Sequence, residues 1–142
     1  MNYPRLVLSG LGAFFAYFVF GFLAFAILPL KSEFQKYPAV YRSQEGIKAV
    51  MPLGMFGMLV SILALAILYA LVYRGGSGPI EGLRFGALIG IFAIGSFVLH
   101  NYVNLNIGLK LALQQSAMYF LEWVIVGLVI GLIYKPALPA AR

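Results

Sequence analysis

Glu122 is the residue best placed to do chemistry. It lies near the middle of an apolar run from Leu111 to Tyr134, and Tyr119 and Gln115 share a helical face with it. A carboxylic acid in apolar surroundings either holds a proton or finds a cation, so it responds to its environment in either case. Proton handling, or a buried hydrogen bond that fixes helix register, is what such a group offers. His100 and Asn104 close the preceding apolar run. At about 100° per residue they fall on the same face as Gly82, Gly86, Gly90, Ala93 and Phe97, which predicts that both point between helices. With ~1.5 Å of rise per residue, His100 lies ~24 Å from Arg84 and Glu122 ~19 Å from Lys135. If those two cations mark one interface, the side chains are expected at similar depth, close enough to meet directly or through one water.

Few other chemical sets can be assembled. Glu33 and Glu45 fall in a loop and Glu81 at a helix start, so no paired carboxylates and no serine–histidine–acid set emerge, and the reading leans away from an enzyme. There is no cysteine and a single histidine. Haem between two histidines would need a second chain, and a metal would have to borrow Glu122 or asparagine oxygens. Six phenylalanines from Phe14 to Phe25 would suit a quinone or pigment. The expectation is nevertheless no cofactor, with haem or quinone as lesser alternatives. The loop Arg74–Pro79 is glycine-rich but lacks the Gly-Lys-Ser/Thr of a phosphate loop.

These residues must be positioned by very apolar elements. The 142 residues are 63% hydrophobic and 10% charged, against about half and about a quarter in soluble domains. Four runs reach the ~20 residues that cross a bilayer: Leu6–Leu30, Met51–Tyr73, Gly82–Val103 and Leu111–Tyr134. The predicted fold is all-α, one domain, an integral membrane bundle of four transmembrane helices. Arg5 with Ala24-Phe25-Ala26 has the look of a signal peptide, but the apolar stretch is too long, so the first run is read as a span. In the first loop, Phe34, Tyr37, Val40 and Tyr41 recur at helical spacing, which predicts a short interfacial helix. In the second loop, Gly78 is expected as N-cap, Pro79 as the first helical residue, and Glu81 paired with Arg84.

Small residues predict how the spans pack. Gly82, Gly86 and Gly90 form GxxxGxxxG, and Gly127 and Gly131 form GxxxG. The second span carries Gly54, Gly57 and Ser61, and the first Ser9, Ala13, Ala16 and Ala24. The net charge of +6 comes from residues flanking the apolar runs, so the expected partner is the lipid bilayer and not nucleic acid. An even number of spans puts both termini on one side. The basic second loop and tail, including Arg142, place that side inside. Tyr3, Tyr69, Tyr73 and Tyr134 are expected at one interface, and Tyr37, Tyr41 and Tyr102 at the other.

The segment Arg84-Phe85-Gly86-Ala87-Leu88-Ile89-Gly90, followed by His100-Asn101-Tyr102-Val103-Asn104-Leu105, resembles small bacterial four-helix membrane proteins of unknown function. The resemblance covers about the last 60 residues. It implies a bacterial inner-membrane location and carries no activity. Four-span multidrug exporters differ, because their essential glutamate lies in the first span, which here has no acid.

The expected function is an accessory or scaffolding subunit of a larger membrane complex, associating with other subunits or with itself. The alternative is a small oligomeric transporter or proton-linked permeation unit using Glu122 and His100.

Overall fold

The computed structural model describes residues 1–27 and 30–136. Leu28 and Pro29 at the end of the first run, and Arg142 in the basic tail, lie outside the described residues. The described residues form helices joined by turns. These are α1 (Tyr3–Ile27), α2 (Leu30–Phe34), α3 (Gln44–Val72), α4 (Gly78–Asn104) and α5 (Leu109–Ile133). Four of them, all but α2, are long and apolar enough to cross a membrane. They are compatible with an integral membrane protein.

The helices form an open row in the order α4, α5, α1, α3, with α3 packed chiefly on α1. The tightest seam is α4 against α5. A Cβ on Gly78 would overlap the Gly131 carbonyl oxygen, one on Gly82 that of Gly127, and one on Gly86 that of Trp123. Backbone therefore touches backbone, which only glycine permits along so much of a helix. Gly90 faces Phe120 at the end of the seam. The apolar core lies where α1, α3 and α5 meet, where Leu6, Ala13, Ile62, Ala66, Tyr69, Val126, Ile130 and Tyr134 are buried together. Tyr69 and Tyr134 are expected at an interface, but they are almost wholly buried here and stack edge-on at 6.0 Å. The Tyr69 hydroxyl donates to the Gly78 carbonyl at 3.1 Å, which satisfies its polar end inside the packing.

Several local expectations are corrected. The predicted interfacial helix stops at Phe34, and the chain continues as turns to Ser43. Pro38 disfavours helix at Tyr37, the residue before it. Phe34, Tyr37, Val40 and Tyr41 still turn partly inward, and Phe34 meets Tyr41 edge-on at 4.8 Å. The second long helix starts at Gln44, seven residues before Met51, because Ser43 caps it by accepting from the Gly46 amide at 3.2 Å. Ser77, not Gly78, is the N-cap of α4. Glu81 does not pair with Arg84. Its carboxylate accepts from the backbone amides of Gly76 at 2.8 Å and Arg74 at 3.1 Å, folding the second loop over the helix start.

The first loop is clamped to the start of α5. Lys110 lies 2.5 Å and Lys36 2.8 Å from Glu33, and the Gly108 amide donates to the Tyr37 hydroxyl at 2.9 Å. The lysines, Lys110 first, hold the Glu33 carboxyl below its ordinary 4.5. A lowered folded value means that the clamp is fully favourable above the unfolded value and is lost as pH falls through the folded one. The protection factors of the amides of residues 30–41, taken relative to intrinsic exchange at each pH, are expected to fall in acid below about pH 4.5. Glu33→Gln is expected to show fast exchange at neutral pH with no acid step.

Candidate functional site

The site is built where α1 crosses α5, away from the buried apolar core. Glu122 is 8% exposed and faces α1. Tyr17 lines the same small cavity as the Glu122 carboxyl. Among the described residues it takes part in no ion pair, since the acid pairs found belong to Glu33. Gly21, one turn beyond Tyr17, leaves room for the carboxyl: a Cβ there would sit 3.2 Å from Oε1.

A cavity of about 150 Å³ adjoins the acid, lined by Tyr17, Gln115, Tyr119, Glu122 and apolar side chains that include Phe25 and Phe34. Gln115, Tyr119 and Glu122 line it together because residues spaced three and four apart share a helix face. At the loop end, Gln115 donates to the Tyr41 hydroxyl at 3.2 Å. A file of polar groups thus runs from the first loop through Gln115 and Tyr119 to Glu122 and Tyr17. It can hold or pass a proton, and it ties α1 to α5.

His100 and Asn104 do not join this site. Both are exposed, and neither lines the Glu122 cavity. The expectation that they point between helices fails because Ile94–Leu99 is π-helical. Each i→i+5 turn takes an extra residue, which rotates everything after it by about 100°. Val98, and not Phe97, is the residue buried on the packing side. Phe97 instead meets Tyr119 edge-on at 5.3 Å. The Asn104 amide donates to the His100 carbonyl at 2.7 Å, closing the end of its own helix. The direct or water-bridged meeting of His100 with Glu122 is therefore absent.

Tyr17 and Gly21 are the members that the sequence reading missed. Their signal was available: Ala13, Tyr17 and Gly21 are spaced by four, and Tyr17 is the hydroxyl in an otherwise apolar stretch. Two buried polar atoms of α5, Trp123 Nε1 and Gln114 Oε1, have no hydrogen-bond partner among the described residues. Among the described residues, no three of His, Cys, Asp or Glu gather as a metal site would require.

Comparison with protein-family profiles, with curated proteins and with solved structures finds no match.

Proposed function

We propose that this chain is an integral membrane protein acting as an accessory or scaffolding subunit, docked onto a larger partner through the first half of α3. The observation that carries this reading is the state of that helix. From Met51 to Gly57 every residue is exposed, and among the described residues nothing beyond the helix itself lies within 4 Å of where a Cβ on Gly54 or Gly57 would be. Gly78, Gly82, Gly86 and Gly90 of α4 and Gly127 and Gly131 of α5 are consumed by close helix contact, whereas Gly54 and Gly57 of α3, like Gly95 of α4, face outward. Small residues on a membrane helix favour association through close approach. With 29 residues, α3 is ~43 Å long, beyond the ~30 Å hydrocarbon thickness, so it also reaches past the bilayer surface. The termini lie on the cytoplasmic side of a bacterial inner membrane, with the basic second loop beside them.

The test is Gly54→Leu with Gly57→Leu. The substitutions fall in open space, so monomer stability is expected to stay within ~0.5 kcal/mol. Recovery of the partner on gentle purification is expected to fall about tenfold or more, the equivalent of ~1.4 kcal/mol at the contact. Unchanged recovery would end the docking reading, as would a wild-type protein that runs alone with an activity of its own.

A second reading is supported by the polar file: a proton-linked permeation unit in which Glu122 takes up and releases a proton. Tyr119 and Gln115 replace His100 as the relay in this reading, since they line the cavity and His100 does not.

A further inference from the structure

A second, larger cavity of about 760 Å³ opens at the loop end of the row, between the end of α1, the first loop and the start of α3. Its volume is in the range that holds small ligands. Phe25, Phe34, Val40 and Ile47 give it apolar walls, while Lys31 and Arg42 stand on its lining. Among the described residues no acid lines it, and the nearby Glu33 carboxyl is already taken by Lys110 and Lys36. Neither Lys31 nor Arg42 takes part in an ion pair among the described residues. An apolar trough with two uncompensated cations complements one kind of molecule, an anionic head on a long apolar tail. The loop that frames it is pinned to α5 by the Tyr37–Gly108 and Tyr41–Gln115 hydrogen bonds.

We propose that this cavity binds an anionic phospholipid of the surrounding bilayer, with its phosphate on Lys31 and Arg42 and an acyl chain along Phe25, Phe34, Val40 and Ile47. Arg42 reads a phosphate through paired N–H donors, and Lys31 adds a point charge. General attraction of basic residues to an anionic surface needs no cavity. The proposal differs in requiring both the cations and the room for a chain. Recognition at Gln44–Ile47 is also separate from docking at Gly54 and Gly57, so either can fail alone.

The experiment uses the whole protein in a neutral detergent. Native mass spectrometry and thermal unfolding are followed with phosphatidylglycerol, phosphatidylcholine or inorganic phosphate added. Phosphatidylglycerol is expected to be retained one per chain and to raise Tm, phosphatidylcholine to be retained about tenfold less, and inorganic phosphate to have no effect. Lys31→Gln with Arg42→Gln is expected to erase the preference between the two lipids. Val40→Trp, which keeps both cations and fills the trough, is expected to abolish retention. Equal retention of the two lipids by the wild type would overturn the proposal. So would a Tm rise with inorganic phosphate alone, or full retention by Val40→Trp.

Discussion

Gly82→Leu is expected to break the α4–α5 seam and leave a chain that does not reach its native state in detergent. The Cβ alone would overlap the Gly127 carbonyl oxygen and lie 3.0 Å from the Gly131 Cα. Both obstacles are backbone, so no rotamer change relieves them. Overpacking a core costs ~1–3 kcal/mol when side chains can move aside, and here they cannot, so the cost lies at or above that upper end. Gly127→Leu is expected to do the same from the other helix, because its Cβ meets the Gly82 carbonyl and the Gly86 backbone. Gly54→Leu is the control: identical chemistry in open space, with little expected change. Thermal unfolding of the three variants beside wild type checks this. Equal tolerance of Gly82→Leu and Gly54→Leu would mean that the seam is not as close as described.

The second large effect is at Glu122. Glu122→Ala removes the polar group that shares a cavity wall with the Tyr17 hydroxyl and enlarges a site that already holds a cavity. An unpaired buried polar group costs ~1–3 kcal/mol, and the lost volume adds to it. Tyr17→Phe is expected to cost ~1–3 kcal/mol as well, because it takes away the hydroxyl that shares the cavity with a carboxyl in an apolar setting. In a double-mutant cycle the two losses should be markedly non-additive, with a coupling of ~1 kcal/mol or more. Glu122→Gln keeps a polar group in the cavity shared with Tyr17 and is expected to be nearly neutral in stability. That variant separates structure from function. If Glu122 handles protons, proton-driven flux into liposomes should be lost while the fold is kept; if its work is to join α1 to α5, flux measurements will not distinguish the variant from wild type.

Much of this arrangement is legible in the residue order. Four long apolar helices follow from length and composition. The glycine seam follows from spacing alone, since Gly82, Gly86 and Gly90 recur every four residues and Gly127 and Gly131 answer them. The shared face of Gln115, Tyr119 and Glu122 follows for the same reason. What escapes the sequence is what depends on a break in periodicity or on another element. The π-helical turn at Ile94–Leu99 has no distinctive residue signal, and one rotated turn moves His100 and Asn104 from the packing side to the outside. Glu81 prefers two backbone amides of a folded loop to a side chain one turn away, and only the folded loop reveals them. Tyr17 shares a cavity with Glu122 across more than a hundred residues, a distance over which spacing rules say nothing. The early start of α3 had a local cue in Ser43, followed by Glu45 in the first turn.

The central claim, docking through the outward face of α3, is tested most directly by a photo-activated cross-linker placed at position 57 in the native membrane, with the buried position 62 as reference. The account predicts one discrete adduct to a larger membrane protein from position 57, none from position 62, and loss of the adduct when Gly54→Leu is added. Adducts to lipid alone from position 57, or only to a second copy of this chain, would contradict it.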